Sequence, residues 1–154
     1  MAAVASVLLA GVCCVQSNGV SQMISQRVRV GFMAAAAMNI GGVLLFSRCF
    51  TNTAVNQADP VVMSNFGLLV IVLWGLAYLA ASSIQANIRW LAATFALEKL
   101  VYGVVWLSWL TQHSLAPLYA DDLFAGVFYS IYGLNDLAFM VFFAWVWGVQ
   151  RRVQ

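Results

Sequence analysis

Glu98 and Lys99 stand side by side within an apolar run over residues 90–110, and Asn135 and Asp136 form a second polar pair within residues 123–147. Carboxylates set in runs of this kind support three kinds of chemistry. They relay a proton or an ion, they floor a pocket for a small hydrophobic molecule, or they close a hydrogen-bonded network that fixes helix order and register. All three need receiving groups, because an ionised side chain at mid-bilayer costs several kcal/mol unless the protein takes it in. Asn39, in the middle of an earlier apolar run, is one receiver. Aromatic hydroxyls at helical spacing supply more: Tyr102 follows Glu98 by four residues, Tyr132 precedes Asp136 by four, and Tyr129 lies a further turn away. Each can hydrogen-bond a carboxylate within its own helix or across to another.

Successive helix residues point about 100° apart, so Glu98 and Lys99 cannot face the same neighbour. One carboxylate of Glu98 and Asp136 is left over when Lys99 has paired with the other. The expected arrangement is a Lys99–Asp136 or Lys99–Glu98 pair with the remaining carboxyl protonated. Above such a floor, Trp74, Tyr78, Trp106, Tyr129 and Tyr132 would wall an apolar pocket.

Other chemistry finds few residues. A single histidine, His113, cannot ligate a haem on both faces or build a copper or two-histidine iron site. Cys13, Cys14 and Cys49 have no Cys-x-x-Cys spacing, and adjacent cysteines are poor disulfide partners. No nucleophile–base arrangement is visible, so neither an enzyme nor a cofactor is expected. The net charge of +2, with no basic cluster beyond Arg27/Arg29 and Arg151/Arg152, gives no footing for nucleic acid.

The elements that must position these residues are set by composition. Of 154 residues, 64% are hydrophobic and 8% charged, against about 25% charged in an average globular domain. The expected fold is all-α: a transmembrane four-helix antiparallel bundle over residues 27–154, with a short N-terminal arm over 1–26. The arm reads as an interfacial helix, with a cleaved targeting segment as the alternative; its apolar stretch of about 15 residues falls short of the roughly 20 a span needs. Spans are predicted at about 28–46, 66–81, 90–110 and 123–147. The polar stretches 51–59 and 111–122 read as loops. Asp59–Pro60 reads as a helix start, with aspartate as cap and proline in the first turn. In the first span Gly31 and Ala35, and Ala37 and Gly41, are spaced for close helix packing, within the chain or against a partner. Trp90, Trp109, Trp145 and Trp147 fall at span ends, as an interfacial aromatic belt requires.

With four spans, Arg27, Arg29, Arg89, Arg151 and Arg152 share one side, while Arg48 lies opposite with Asp59, Asp121 and Asp122. Positive-inside statistics then place both termini in the cytoplasm or its organellar equivalent.

Three segments carry a resemblance to a known family: Ser64–Tyr78 (SNFGLLVIVLWGLAY), Phe95–Tyr102 (FALEKLVY) and Ile131–Asp136 (IYGLND). Together they resemble the BphX-like family of small bacterial four-span membrane proteins, over about residues 30–148 and without the N-terminal arm. The resemblance implies a bacterial inner membrane location and, through the family's association with biphenyl degradation, hydrophobic aromatic compounds. It assigns no chemistry. The N-terminal extension keeps an organellar inner membrane as the alternative. The functional expectation is an accessory subunit held in the lipid bilayer by a membrane protein partner or a second copy of itself. The alternative is a binder or carrier of a small hydrophobic molecule (lipid, quinone or aromatic) at the midplane polar residues.

Overall fold

The computed structural model describes residues 26–151, and every regular element among them is helical. The helices are α1 (Gln26–Phe46), α2 (Thr53–Ala58), α3 (Asn65–Ala81), α4 (Arg89–Gln112), α5 (Leu115–Asp121) and α6 (Leu123–Arg151). Apart from Gln26, the arm lies outside the described residues, as do Cys13, Cys14 and Arg152. Three helices, α1, α4 and α6, are long and apolar enough to cross a membrane. This marks the chain as a membrane protein. The fourth apolar helix, α3, has 17 residues, about 25 Å at 1.5 Å per residue.

The polar stretches between the long helices are more ordered than the sequence predicts. Residues 51–59 contain α2, capped by Asn52, whose Oδ1 accepts from the Ala54 amide at 3.2 Å. Residues 111–122 contain α5, which starts after Ser114. Asp59–Pro60 does not start α3. The Asp59 carboxylate accepts from the Val61 and Val62 amides and its carbonyl from Met63, which closes one isolated turn. Ser64 then restarts the chain, its hydroxyl accepting from the Gly67 amide at 3.1 Å. The turn folds so tightly on the new helix that a β-carbon at Gly67 would lie 2.0 Å from the Val62 carbonyl oxygen.

α1 ends in an unusual way. Arg48, Cys49 and Phe50 have φ of 48°, 54° and 70°, a left-handed run that costs about 1–2 kcal/mol per residue for side chains with a β-carbon. Local bonds hold it: Ser47 Oγ accepts from the Phe50 amide, Thr51 donates to the Arg48 carbonyl, and Asn52 Nδ2 donates to the Phe46 carbonyl. Arg48 also pairs with Asp122 at 2.9 Å.

Asp122 caps the start of α6, as its position ahead of the apolar run implies. Its Oδ1 accepts from the Ala125 amide at 2.8 Å and from Asn52 Nδ2 at 3.0 Å. These bonds, led by the Ala125 amide, hold the carboxyl below its ordinary value of 3.8. A carboxyl lowered in the folded state stabilises fully above its unfolded value and stops doing so as pH falls through the folded one. On acidification below pH 3.8, the wild type should therefore lose more thermal stability than Asp122→Asn. Parallel pH profiles for the two proteins would contradict the capping role.

Packing pairs run in opposite order along facing helices. Between α4 and α6, Ile88 meets Gln150, Lys99 meets Asp136, and Trp106 meets Tyr129. Between α1 and α6, Phe32 packs on Phe142 and Phe143, and Phe46 on Phe124 and Phe128. α3 lies against α1, with Gly75 over Asn39 and Ile40. The buried side chains form two apolar clusters. One gathers Val28 and Phe32 with Tyr78, Phe95 and Val146. The other gathers Val43, Leu68, Trp106 and Tyr129, roofed by Val55 of α2.

Candidate functional site

Between the two clusters lies a layer of buried polar groups near the middles of the helices. Helical rotation separates its two adjacent members. Glu98 turns to α3, where the Tyr78 hydroxyl donates to its Oε2 in a short hydrogen bond. Lys99 turns the other way and is 1% exposed. Its ammonium donates to Asp136 Oδ1 of α6 at 2.5 Å and to Asn39 Oδ1 of α1 at 2.9 Å. Asn39 passes the connection on, its Nδ2 donating to the Ile71 carbonyl of α3 at 3.1 Å. Lys99 also lies 5.5 Å from the Tyr78 ring centroid, close enough for cation–π attraction.

The sequence left two pairings open for Lys99, and the geometry separates them. Asp136 takes the contact, while Glu98 Oε1 stays 3.9 Å away and has no hydrogen-bond partner. Asn39, Glu98, Lys99 and Asp136 are all buried, so little of the ion pair meets water or lipid. Two charges in that setting attract strongly but must offset the loss of their hydration, which good geometry and added hydrogen bonds make feasible. A network of this form can hold helices in register. An exchange of protons with bulk solvent would require it to open.

The aromatic residues expected around the layer are distributed differently. Glu98 receives its hydrogen bond from Tyr78, not from Tyr102 one turn along its own helix, and Tyr102 is half-buried. The Tyr129 hydroxyl donates to the Val55 carbonyl of α2 at 3.1 Å and not to a carboxylate. Tyr132 is buried with its hydroxyl unpartnered, and Asn135 is half-buried beside Asp136. Trp74 sits at the edge of the first cluster, edge-on to Phe95 at 6.1 Å.

The five aromatic residues expected to wall one pocket are thus split between two filled clusters. Tyr78 packs on Phe95 at 4.8 Å and Phe143 at 5.1 Å. Trp106, Tyr129 and Tyr132 pack among themselves with Trp109 and Phe128. The indoles of Trp106 and Trp109 are tied down by the carbonyls of Tyr129 and Ala58. Trp109 is therefore a core anchor and not part of an interfacial belt, whereas Trp90 is 71% exposed. These partners are backbone carbonyls, which any residue supplies, so no sequence pattern could have announced them.

Gly31 and Ala35 face inward. A β-carbon on Gly31 would meet the Phe142 ring at 2.2 Å, and Ala35 is fully buried. The small residues left on the outer face of α1 are Ala34, Ala37 and Gly41. Among the described residues, no group of three His, Cys, Asp or Glu side chains could hold a metal ion.

No family model, characterised protein or solved structure matches the chain. The resemblance to the BphX-like family rests on its three sequence segments alone.

Proposed function

We propose that the chain is a non-catalytic subunit of a membrane assembly, built as four antiparallel membrane-crossing helices, α1, α3, α4 and α6. In this reading the basic ends, with both termini, lie on the positive-inside face, and α2 and α5 cover the opposite end. The observation that carries the proposal is the polar layer. Asn39, Ile71, Lys99 and Asp136 bring one group from each of the four helices into one hydrogen-bonded network, and Tyr78 and Glu98 add a second link between α3 and α4. The acidic and amide groups there are engaged in holding the chain together, which leaves the lipid-facing surfaces for recognition.

The outer face of α1 is the docking surface in this proposal. Ala37 and Gly41 are four residues apart and exposed, and a β-carbon on Gly41 would meet nothing within 4 Å. Small residues at that spacing let a second helix approach closely in lipid. The protein extracted from its own membrane in mild detergent should run with a partner chain or a second copy by native mass spectrometry. Ala37→Leu should release it without loss of helical content. A single-chain mass for the wild type, unchanged by mild cross-linking in the membrane, would overturn the reading.

A further inference from the structure

A cavity of about 50 Å³ lies between α1 and α6, beside the polar layer and on its lipid side. Its inner wall carries Asn39, Tyr132, Asn135 and Asp136, and the remainder is apolar, with Ile71 and Phe46 among the lining residues. The cavity is half open, and at Gly42 in its lining a β-carbon would meet nothing within 4 Å. The flanking lining residues Met38 and Ile131 are 46% and 39% exposed. In a membrane this opening faces hydrocarbon.

One polar group in the wall is unexplained by the fold. Tyr132 is 7% exposed, and its hydroxyl is buried without a hydrogen-bond partner. Buried hydroxyls are almost always bonded, and leaving one unmade costs stability. The ring itself is fully used, stacked on Phe128 at 5.1 Å and edge-on to Trp106. Packing would be served equally by phenylalanine, so packing does not account for the oxygen.

We infer that this cavity binds the hydroxyl end of a neutral hydrophobic alcohol that enters sideways from the bilayer. The charge state of the ligand follows from Asp136, which already holds the Lys99 ammonium at 2.5 Å. A cationic head would compete with a bond already made, and an anionic head would be repelled. A hydroxyl both donates and accepts, so it can donate a hydrogen bond to the Asn135 side-chain oxygen and accept one from Tyr132. A space of 50 Å³ admits a head of a few heavy atoms, and the apolar tail lies along the outer wall into lipid. The inference does not depend on the subunit proposal, since the cavity lies beside the buried network and a partner is not needed to form it.

The test uses the full chain in phosphatidylcholine nanodiscs with a diazirine-bearing decanol as the probe. Its methyl ether and the matching diazirine alkane are the controls, and labelled peptides are located by mass spectrometry. The alcohol should label residues lining the cavity, α1 near Met38 and α6 near Ile131, and unlabelled decanol should compete. Tyr132→Phe should reduce that labelling roughly fivefold, the loss of one hydrogen bond to the head. Gly42→Leu, whose side chain projects from the lining into open space, should abolish it while thermal unfolding stays as in wild type. Equal labelling by the ether or the alkane would overturn the inference, as would labelling indifferent to Tyr132→Phe. Labelling spread over all lipid-facing residues, with no competition, would overturn it as well and would leave the cavity to water alone.

Discussion

Replacing Asp136 by asparagine should destabilise the protein far more than replacing Glu98 by glutamine, although both remove one buried carboxylate from the same layer. Asp136→Asn leaves the Lys99 ammonium without the oxygen it holds at 2.5 Å, and the next carboxylate oxygen is 3.9 Å away. Removing one partner of a buried pair strands the other charge and costs about 3–5 kcal/mol. Glu98→Gln keeps an acceptor for the Tyr78 hydroxyl, because the amide oxygen takes the place of Oε2. Its cost should stay near the 0.5–1.5 kcal/mol of an ordinary hydrogen-bond change, or about 1 kcal/mol. Thermal unfolding of both variants in the same detergent checks the ranking. Equal losses would mean that Lys99 is shared evenly between the two carboxylates, contrary to the geometry.

The second large effect is steric. Gly133 of α6 faces Trp106 of α4, and a β-carbon there would lie 2.0 Å from the indole. The ring cannot move aside cheaply, because its Nε1 donates to the Tyr129 carbonyl at 2.7 Å and its face meets Tyr132. Overpacking of a filled core costs about 1–3 kcal/mol, and more when the neighbour is fixed. Gly133→Ala should therefore fall at the upper end of that range, or fail to accumulate in the membrane. Gly41→Ala and Gly148→Ala supply the contrast, since a β-carbon at either meets nothing within 4 Å; neither should cost stability, alanine being favoured over glycine in a helix by up to about 1 kcal/mol. A tolerant Gly133 would show that α4 and α6 are not in close contact at this level.

The long helices were legible because their ends are written in polar residues. Arg48, the stretch from Ser82 to Arg89 and the pair Asp121–Asp122 each interrupt an apolar run, and α1, α3, α4 and α6 end or begin there. The opposed directions of Glu98 and Lys99 were legible too, because they follow from the helical repeat alone. What stayed hidden depends on contacts between segments far apart in the chain. Tyr129 binds the Val55 carbonyl across 74 positions, and Trp109 binds that of Ala58 across 51. Both acceptors belong to α2, a six-residue helix too short to show periodicity. The left-handed run at Arg48–Phe50 was hidden for a related reason: none of its residues is a glycine, and its support comes partly from Asp122. Asp59–Pro60 reads in the sequence as a helix start, but its cap chemistry closes an isolated turn, and the Ser64 hydroxyl and the absence of a side chain at Gly67 set the start of α3.

The account turns on the polar layer acting as a clasp between helices and not as a working site. Its most direct test is the paired replacement Lys99→Met with Asp136→Leu, measured by native mass spectrometry of the protein extracted from its own membrane. Apolar residues of similar volume often replace a buried ion pair without loss, even where each single change is costly. The account predicts that the double variant inserts, folds and retains the same associated chains as the wild type, while each single variant is depleted. A double variant that is folded and abundant but has lost its partners, or the physiological activity of the assembly, would contradict it and make Lys99 and Asp136 functional groups in their own right.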